Sequence, residues 1–374
     1  MKNILITGGA GFIGSNIALK LIEKGYNVRV MDNLSQQVHN ETNKLPEPLR
    51  GKVEFIKADV RDKEAWREAL KNQDAVIHLA AETGTGQSMY EIHKYTDTNI
   101  GGTALLLDIL TNEKHSIKKV IVASSRAIYG EGKYECHIHG NVYPLGRKEE
   151  NLNNKDFEVK CPYCGSNVTL CATTEDSNIH PTSIYGITKQ VQEEMVMVTC
   201  KALGIPCVSY RYQNVYGPGQ SLTNPYTGIL SIFSNRILQN REINIFEDGL
   251  ESRDFVYIDD VADATIAGLE SEKADYYTFN VGSGTAIDVG SVVKILSEAY
   301  GKKANQYISG DYRIGDIRHN LADISLIKET IGFTPKVNFA IGIKRFIEWV
   351  LLQPFEMDKY EESLIEMKEK GLMK

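Results

Sequence analysis

The sequence lacks a long apolar run, and no stretch approaches the roughly 20 uninterrupted apolar residues of a membrane-spanning helix. Met1 and Lys2 lead directly into a short apolar segment, without the pattern of a secretory leader. Cysteine is scarce, at six residues in 374, which favours thiols or metal ligands over a disulfide framework. Internal repeats and low-complexity linkers are not visible either. These absences predict a cytoplasmic protein that does not bind a membrane.

Positive charge is also in deficit. The chain has 42 lysines and arginines against 49 acidic residues, a formal net charge of -7 and a pI of about 5.7. This balance argues against general affinity for nucleic acid or an anionic membrane. A chain of 374 residues exceeds one ordinary domain, so we expect two.

A glycine-rich turn follows the first apolar run. Residues 3–7 are typical of a buried parallel strand, residues 16–24 have helical periodicity, and the turn between them matches both GxGxxG and GxxGxxG. Small residues there let the backbone approach a pyrophosphate, whose charge is stabilised by the helix amino terminus. The alternative is a plain glycine-rich turn. The cofactor contacts predicted here are Gly8, Gly11, Phe12, Ile13 and Gly14.

The ends of the following strands offer further cofactor contacts. Asp32 ends a second strand about 20 residues beyond the glycines, where a carboxylate can accept both ribose hydroxyls. It would repel a 2′-phosphate, which favours NAD over NADP. Asp59 suits the adenine edge, although a solvated aspartate at a strand end is a strong alternative. The remaining predicted contacts of this group are Asn33, Val60, Leu79, Ala80, Ala81 and Asn99.

Tyr185 and Lys189 are four residues apart, so they share one face of a helix. The ammonium can then lower the pKa of the phenol and let it accept a proton. Taken alone, such a pair is usually a solvated contact. It gains weight because the pair Ser124-Ser125 follows another strand-like run, residues 118–123, at whose carboxyl end an α/β sheet binds ligands.

Together these motifs resemble the extended short-chain dehydrogenase/reductase superfamily, and specifically its nucleotide-sugar epimerases and dehydratases. The resemblance covers nearly the whole chain. It rests on TGGAGFIGS (residues 7–15), Asp32, HLAA (78–81), SSRAIYG (124–130) and YGITK (185–189). It implies an α/β fold, a doubly wound parallel Rossmann sheet with a smaller carboxyl-terminal substrate domain. It also implies a homodimer built on helices near residues 92–110 and 188–203.

The resemblance also assigns roles to residues. Tyr185 would be the catalytic base, Lys189 would bind the nicotinamide ribose, and Ser125 would hydrogen-bond the reacting sugar oxygen. Three residues fall where the family contacts the nucleotide diphosphate: Asn214, Arg253 and Arg318. An arginine fork suits a buried diphosphate, although a single arginine is more often a surface salt-bridge partner.

The residues after Ser125 discriminate among reactions. Dehydratases of the family carry Asp-Glu after the catalytic hydroxyl, whereas this chain has Arg126-Ala127. Dehydration is therefore disfavoured, and Arg126 becomes a candidate substrate contact. A 4-epimerase needs one base and a tightly held NAD, and we expect this activity. A 4-ketosugar reductase and a non-catalytic NAD-binding module remain open alternatives.

The segment 131–176 is long for this fold and contains two cysteine turns. Cys136-His-Ile-His139 and Cys161-Pro-Tyr-Cys164 are each followed by glycine, which is typical of zinc knuckles. We expect a zinc-ribbon-like insert with structural zinc bound by these four residues. His137 or Cys171 could replace His139, and chance cysteines are the alternative. Cys200 and Cys207 are expected to be apolar fillers in or near the core.

Within the family, the insert and three segments resemble dTDP-L-rhamnose 4-epimerases of bacterial polysaccharide pathways, with UDP-hexose 4-epimerases as the alternative. The segments are residues 80–91, 224–228 and 245–249, and the first suggests Thr85 and Gln87 as sugar contacts. We expect an NAD-binding domain over 1–216 and a nucleotide-sugar domain over 217–374, with a segment near 278–290 returning to the large sheet. The last twenty residues suggest a solvated helix.

Overall fold

The computed structural model describes residues 1–39, 44–224, 226, 228–354 and 360–374. Pro225 and Thr227, part of the segment 224–228 on which the subfamily resemblance rests, lie outside the described residues. The amino-terminal half contains β1 (Asn3–Thr7), α1 (Phe12–Glu23), β2 (Asn27–Asp32), α2 (Gln36–His39), β3 (Glu54–Lys57), α3 (Lys63–Leu70), β4 (Ala75–His78), α4 (Thr85–Ser88), α5 (Ile92–Tyr95), α6 (Gly102–Asn112), β5 (Lys119–Ser125), β6 (Tyr134–Cys136), β7 (Gly140–Val142), α7 (Glu149–Asn153) and β8 (Thr169–Leu170).

The remaining elements are α8 (Ile184–Leu203), β9 (Cys207–Tyr212), β10 (Asn214–Tyr216), α9 (Ile229–Leu238), β11 (Glu242–Ile245), β12 (Ser252–Tyr257), α10 (Ile258–Glu270), β13 (Tyr277–Val281), β14 (Ala286–Asp288), α11 (Val289–Tyr300), β15 (Asn305–Ile308), α12 (Ser325–Ile331), α13 (Phe339–Leu351) and α14 (Tyr360–Glu369). A π-helical turn, Thr96–Gly101, links α5 to α6, and a 3-10 turn, Arg126–Tyr129, follows β5.

The large sheet is parallel throughout, in the order β13-β9-β5-β4-β1-β2-β3. Its central strands are continuous apolar runs because helices cover both faces. Strand order reverses between β1 and β4, so the carboxyl ends of β1, β2, β4 and β5 open onto one crevice, where such sheets bind ligands. The predicted doubly wound parallel sheet is confirmed.

A second, smaller core lies in the carboxyl-terminal half. It contains the sheet β10-β12-β14, the pair β11-β15 and helices α9, α11 and α13. The chain returns to the large sheet through β13, whereas β14 pairs antiparallel with β12. The segment near 278–290 was expected to return to the large sheet. It does so only through β13, because residues 286–288 belong to the small sheet.

The last helix differs from its prediction. Tyr360, Ser363, Met367 and Met373 are all less than 8% exposed, so residues 360–374 pack across the molecule instead of forming a solvated helix. Their Glu and Lys content suggested solvent because sequence alone does not reveal which surface an amphipathic segment covers. No helix among the described residues has the length and apolar character needed to cross a bilayer.

Candidate active site

The glycine turn after β1 leaves room for a ligand at the start of α1. Gly8 has φ of +65°, and a Cβ there would stand 2.8 Å from the backbone N of Ala80. A Cβ on Gly14 would stand 2.4 Å from the carbonyl O of Gly8. Gly11 caps the helix without a side-chain hydrogen bond, so no side chain shields the first helical N–H groups. The turn therefore fits a pyrophosphate held by backbone amides.

Asp32 lies where the sequence predicted the ribose partner, at the end of β2. Its carboxylate accepts hydrogen bonds from the backbone N–H groups of Ala10 (3.1 Å) and Leu34 (2.9 Å) and is 8% exposed. The His39 Nε2 atom is 3.6 Å away. These contacts orient the carboxylate beside the glycine turn. A ribose hydroxyl would donate to the same carboxylate that already accepts from the Ala10 amide.

The next strand end carries a linked set of polar groups. Asn33 Nδ2 donates to Asp59 Oδ2 at 2.9 Å, and the Arg61 guanidinium donates to both oxygens of that carboxylate. The hydrogen bond from Arg61 is the main reason that the pKa of Asp59 falls to about 2. Asp59 is therefore ionised at neutral pH, and it is an internal salt-bridge partner of Arg61 instead of the solvated aspartate of the alternative.

The remaining predicted cofactor residues divide between the crevice and the core. Leu79, Ala80 and Ala81 follow β4 directly and are aligned by Thr7, whose backbone carbonyl and hydroxyl accept from the N–H groups of Leu79 and Ala80. Val60 is 5% exposed and packs in the core behind the strands. Phe12 and Ile13 form the first turn of α1.

Asn99 is fully buried, and its amide contacts protein on both sides. Its Oδ1 accepts from the backbone N–H of Glu82 at 2.7 Å, and its Nδ2 donates to Glu82 O (3.1 Å) and Thr188 Oγ1 (2.9 Å). Both amide hydrogens are thereby used. The structure makes Asn99 a positioning residue that ties the segment after β4 to α8, rather than a direct cofactor contact.

Ser125 and Tyr185 meet at the carboxyl end of β5. Ser183 caps α8 by accepting from Gly186 N at 3.1 Å, which places Tyr185 in the first helical turn. Close packing requires Gly186, since a Cβ there would stand 2.6 Å from the carbonyl O of Ala127. Burial raises the pKa of Tyr185, whereas a hydrogen bond with Ser125 and the charge of Arg126 lower it. Two of the three predicted catalytic side chains are therefore close to each other.

Lys189 lies one helical turn further along α8 and is 3% exposed. Its ammonium donates to Ala123 O at 2.8 Å and Gln192 Oε1 at 2.9 Å, which leaves one of its three hydrogens for a ligand. Burial lowers the pKa of Lys189 to about 7. A bound ribose hydroxyl or a negative charge nearby would favour the charged form again.

Arg126 is the cation that faces Tyr185. No hydrogen bond or ion pair to a described residue holds its guanidinium, although Asp316 and Glu131 lie within electrostatic range. Burial, followed by repulsion from Arg253, lowers the pKa of Arg126 to about 10. A guanidinium with unused donors in a crevice suits an oxygen-rich ligand.

The predicted diphosphate contacts are placed unequally. Asn214 Oδ1 is buried and makes no hydrogen bond to a described residue, as expected of a group that awaits a ligand. Arg253, by contrast, donates to the carbonyl oxygens of Ser252, Ile317 and Arg318 and to Asp316. Only its Nε–H is left, so Arg253 mainly holds the segment 316–318.

Arg318 does not lie in the crevice. It is fully buried, and its guanidinium is bound by Glu247 (3.0 Å), Asp248 (2.6 and 2.8 Å) and Glu158 (2.7 Å). The acidic groups neutralise it and occupy its donors, which corrects the sequence-based assignment. The acidic residues come from two distant parts of the chain, at 158 and at 247–248, and no local sequence pattern predicts that they meet at one arginine.

Arg313 is the residue that sequence reasoning missed. Its side chain is 36% exposed and stacks on Phe246 at 5.0 Å, and it pairs with Asp316 at 3.2 Å. Although burial opposes the shift, Arg313, Arg253 and Arg126 lower the pKa of Asp316. One carboxylate is thus shared by several cations, and this excess of positive charge suits a diphosphate. The only signal in the sequence is an Arg-x-Gly-Asp turn.

The two predicted sugar contacts after β4 also differ. Thr85 begins α4 at the edge of the crevice and is partly exposed. Gln87 is 6% exposed and forms reciprocal amide hydrogen bonds with Gln37, while its Oε1 also accepts from Tyr95 OH. Gln87 therefore joins α4 to α2, and one hydrogen of its Nε2 makes no hydrogen bond to a described residue.

Four side chains of the insert converge on one point. The ligand atoms of Cys136, His139, Cys161 and Cys164 all lie within 4.8 Å of one another. His139 Nδ1 is 3.6 Å from Cys136 Sγ and 3.5 Å from Cys161 Sγ, while Cys136 Sγ and Cys164 Sγ are 3.7 Å apart. Cys171 lies outside this cluster, with its thiol directed at Thr169 O. Three sulfurs and one imidazole at these separations form a donor set that fits a tetrahedral ion.

The glycine turn, the parallel sheet and the Ser125–Tyr185 contact define an extended short-chain dehydrogenase/reductase that binds a dinucleotide. A family model described as the NAD dependent epimerase/dehydratase family matches residues 4–282. The chain belongs to this family, and it is an enzyme of the nucleotide-sugar epimerase type.

Relatives of known or assigned activity match almost the whole chain. A dTDP-L-rhamnose 4-epimerase of Burkholderia thailandensis is 38% identical, over 93% of this chain and 95% of the relative. A putative UDP-glucose 4-epimerase of Methanocaldococcus jannaschii is 32% identical, over 93% and 98%. The crystal structure of Thermotoga maritima UDP-glucose 4-epimerase with UDP-glucose superposes with a TM-score of 0.74 at 32% identity, covering 93% of this chain and 98% of that one.

Proposed function

We propose that this protein interconverts two nucleotide-diphosphate sugars that differ at C4, using NAD that stays bound, with a dTDP-6-deoxyhexose such as dTDP-L-rhamnose as substrate. The observation that carries the reaction type is the placement of Ser125 at the end of β5 near Tyr185 in the first turn of α8, with Arg126-Ala127 where a second acid/base pair would be needed for dehydration. The sugar is suggested by the 38% identical relative.

The chain's own residues can perform the proton transfers. Tyr185 accepts the proton of the C4 hydroxyl and returns it after the sugar has turned, while Ser125 donates a hydrogen bond to the C4 oxygen. Lys189 and Arg126 stabilise the phenolate that forms in between. NAD, when bound, supplies a hydride acceptor at its nicotinamide. Gly8 and Gly14 let the backbones of β1, α1 and the segment after β4 pack closely, and no side chain caps the first amides of α1, so the residues present fit this cofactor.

Substrate binding would use both walls of the crevice. We assign the diphosphate to Arg313 and the Asn214 amide, because the first is partly exposed and cationic and the second makes no side-chain hydrogen bond to a described residue, so its Nδ2 can donate to a phosphate oxygen. Arg126 lies nearer to Tyr185 and is assigned to the sugar side. Arg253 would act through the segment 316–318 that it holds.

A substrate labelled with deuterium at C4 tests the reaction type. The product is expected to retain the label at C4, because the hydride leaves that carbon and returns to it without exchanging with solvent. Proton NMR and mass spectrometry of the product measure this directly, with unlabelled substrate in deuterium oxide as the control. Transfer of the label to solvent would refute 4-epimerisation, and stoichiometric consumption of added NAD(P)H would identify a ketoreductase.

The charge of Arg126 gives a pH prediction. Since that charge lowers the pKa of Tyr185, Arg126→Gln is expected to raise it. The base must be deprotonated to act, so the acid limb of the kcat/KM profile should move to higher pH. Arg126→Lys keeps the charge and should leave the limb near its original position. An acid limb that does not move in Arg126→Gln would exclude this role for Arg126.

We further propose that Cys136, His139, Cys161 and Cys164 bind one structural zinc ion and make residues 131–176 a zinc-ribbon-like insert. Three short strands, β7-β6-β8, surround the cluster, and a tight hairpin bridged at Lys160 and Asn167 carries the second cysteine pair. Four protein ligands would close the coordination sphere, which favours a structural over a catalytic ion.

The insert contacts the substrate side of the molecule. The Arg147 side chain is only 3% exposed, and it donates to the carbonyl of Asp316 at 3.0 Å and to Glu247 at 2.7 Å. Glu158 of the insert binds Arg318. Because residues 316–318 adjoin Arg313, order in the insert would favour order in the proposed diphosphate site.

Assembly and location complete the proposal. We divide the chain into an NAD-binding domain, 1–216, and a mainly nucleotide-sugar-binding domain, 217–374.

We infer a homodimer through α8 and the helices after residue 91, because these helices carry apolar side chains in contact with solvent: Ile92, Ile187, Val198 and Leu203. The six cysteines form no disulfide with one another, which agrees with the reducing cytoplasm, where we place the protein.

A further inference from the structure

Residues 360–374 contact the segment after β4, the carboxyl-terminal half and the insert. At one end Met367 Sδ would stand 3.2 Å from a Cβ on Gly86, in the segment after β4. Lys368 pairs with Asp311 at 3.0 Å in the carboxyl-terminal half. Lys374 pairs with Glu149 of the insert. We call residues 360–374 the strap.

At the sugar end of the crevice the strap contributes one carboxylate. Glu366 Oε2 accepts from Tyr90 OH at 3.0 Å and from Tyr226 OH at 2.9 Å, and the two hydroxyl oxygens are 3.1 Å apart. Tyr90 belongs to the segment after β4, whereas Tyr226 precedes α9. The carboxylate therefore joins the segment after β4 to the segment before α9 through charge-assisted hydrogen bonds.

This cluster lies close to the catalytic tyrosine. Tyr226 Cβ would stand 3.2 Å from a Cβ on Gly84. Four residues along the same segment, Ser88 Oγ accepts from the backbone N–H of Tyr185 at 3.0 Å. Movement of the 84–90 segment would therefore displace the surroundings of the reacting sugar carbon.

At the diphosphate end the strap adds a short β-bridge. Tyr312 N donates to Lys374 O at 2.8 Å, Lys374 N donates to Tyr312 O at 3.1 Å, and Ile314 N donates to Leu372 O at 3.0 Å. Arg313 is the central residue of this pairing, opposite Met373, which is 4% exposed. The backbone that carries the proposed diphosphate ligand is thus fixed by the strap.

We propose that the strap positions the two ends of the nucleotide-sugar site separately: Glu366 holds Tyr90 and Tyr226 around the hexose, and residues 372–374 hold Arg313 at the diphosphate. The assignment of the two ends rests on the proposed function. The physical reason is preorganisation, since side chains and loops that are already ordered lose less entropy when the ligand binds.

The first test removes the Glu366 carboxylate. Glu366→Ala is expected to raise KM for the nucleotide sugar roughly 10-fold, because two partly buried hydroxyls lose their shared acceptor. The Kd of the free nucleoside diphosphate, measured by calorimetry, should stay unchanged. Glu362→Ala, on the exposed side of the same helix, is the matched control, and Glu366→Gln should recover part of the loss. If binding of both ligands is weakened equally, or binding of neither is weakened, this half of the proposal is overturned.

The second test ends the chain after Gly371. Removing residues 372–374 deletes the bridge but leaves α14. We expect the Kd of the free nucleoside diphosphate to rise roughly 10-fold. Lys374→Ala is the control, because it removes the pair with Glu149 and keeps the backbone bridge. NAD released on denaturation should be unchanged in every variant. Unaltered nucleoside diphosphate affinity in the shortened protein would overturn this half.

Hydrogen exchange separates failure of the strap from failure of the proposed activity. The amides of Tyr312 and Ile314 should exchange faster in the shortened protein than in Lys374→Ala, with no substrate present. If exchange rises but no nucleotide sugar is turned over, the strap is present and the assigned activity is wrong. If exchange is unchanged, the strap itself is refuted.

Discussion

Replacing Tyr185 with phenylalanine is expected to lower the turnover of the nucleotide sugar by at least about 100-fold while NAD stays bound. The substitution removes only the phenolic oxygen that contacts Ser125. The ring keeps its edge-on contact with Tyr95, whose centroid is 6.5 Å away, so the local packing should survive. A coupled NMR assay of product formation and the absorbance of NAD released on denaturation measure the two quantities.

Tyr277→Phe provides the matched control for that experiment. Tyr277 is 44% exposed on the edge strand β13, away from the crevice, and loses the same atom. Its turnover should equal that of the unchanged protein. Near-normal turnover in Tyr185→Phe would remove this residue from the mechanism, and joint loss of NAD and turnover would indicate damage to the cofactor site instead.

Replacing both Cys161 and Cys164 with serine is expected to abolish zinc binding, from about one ion per chain to none. The pair supplies half of the four ligand atoms that converge in the insert, and X-ray absorption of the intact protein should give Zn–S distances near ~2.3 Å. Because metal binding by such a ribbon is coupled to folding, the insert should become disordered. Elemental analysis and hydrogen exchange over residues 131–176 measure both effects.

The large sheet should survive that double substitution, because its core is built from β1 to β5, β9 and β13. NAD should therefore remain bound, while KM for the nucleotide sugar rises as Arg147 and Glu158 release residues 316–318. Cys171→Ser is the matched control, since its thiol lies in the same insert but outside the cluster. Absence of zinc from protein prepared without chelator, with an unchanged melting curve in the double variant, would contradict the metal site.

Local patterns carried most of the information on the cofactor and catalytic regions. The Gly8–Gly14 turn depends on residues next to one another, and Tyr185 and Lys189 share one helix, so spacing alone predicts their relation. The parallel sheet follows from apolar runs separated by helical segments, and the structure confirms it. The individual roles at these positions remain predictions that the substitutions above will test.

Long-range charge pairing limited how much of the substrate site could be predicted from the sequence. The family resemblance assigned Arg253 and Arg318 to the diphosphate, yet in the structure their N–H groups bind Asp316, backbone carbonyls and the acidic residues around Arg318. Arg313 is the arginine that keeps an exposed face. Which arginine is neutralised depends on carboxylates as much as 160 positions away in the chain. A single sequence without homologues does not reveal such pairs.

The sequence by itself determined the family, the sheet and the residues that bring a tyrosine and a serine to one strand end, because each depends on spacing of a few residues or on the period of apolar positions. The tertiary structure alone decided which side chains stay available for a ligand. It shows Gln87 and Asn99 hydrogen-bonded to other protein groups, and it packs residues 360–374 against the segment after β4, the carboxyl-terminal half and the insert. The physical reason is that each N–H or O–H hydrogen makes one good hydrogen bond, so donors satisfied inside the protein are no longer free to bind substrate.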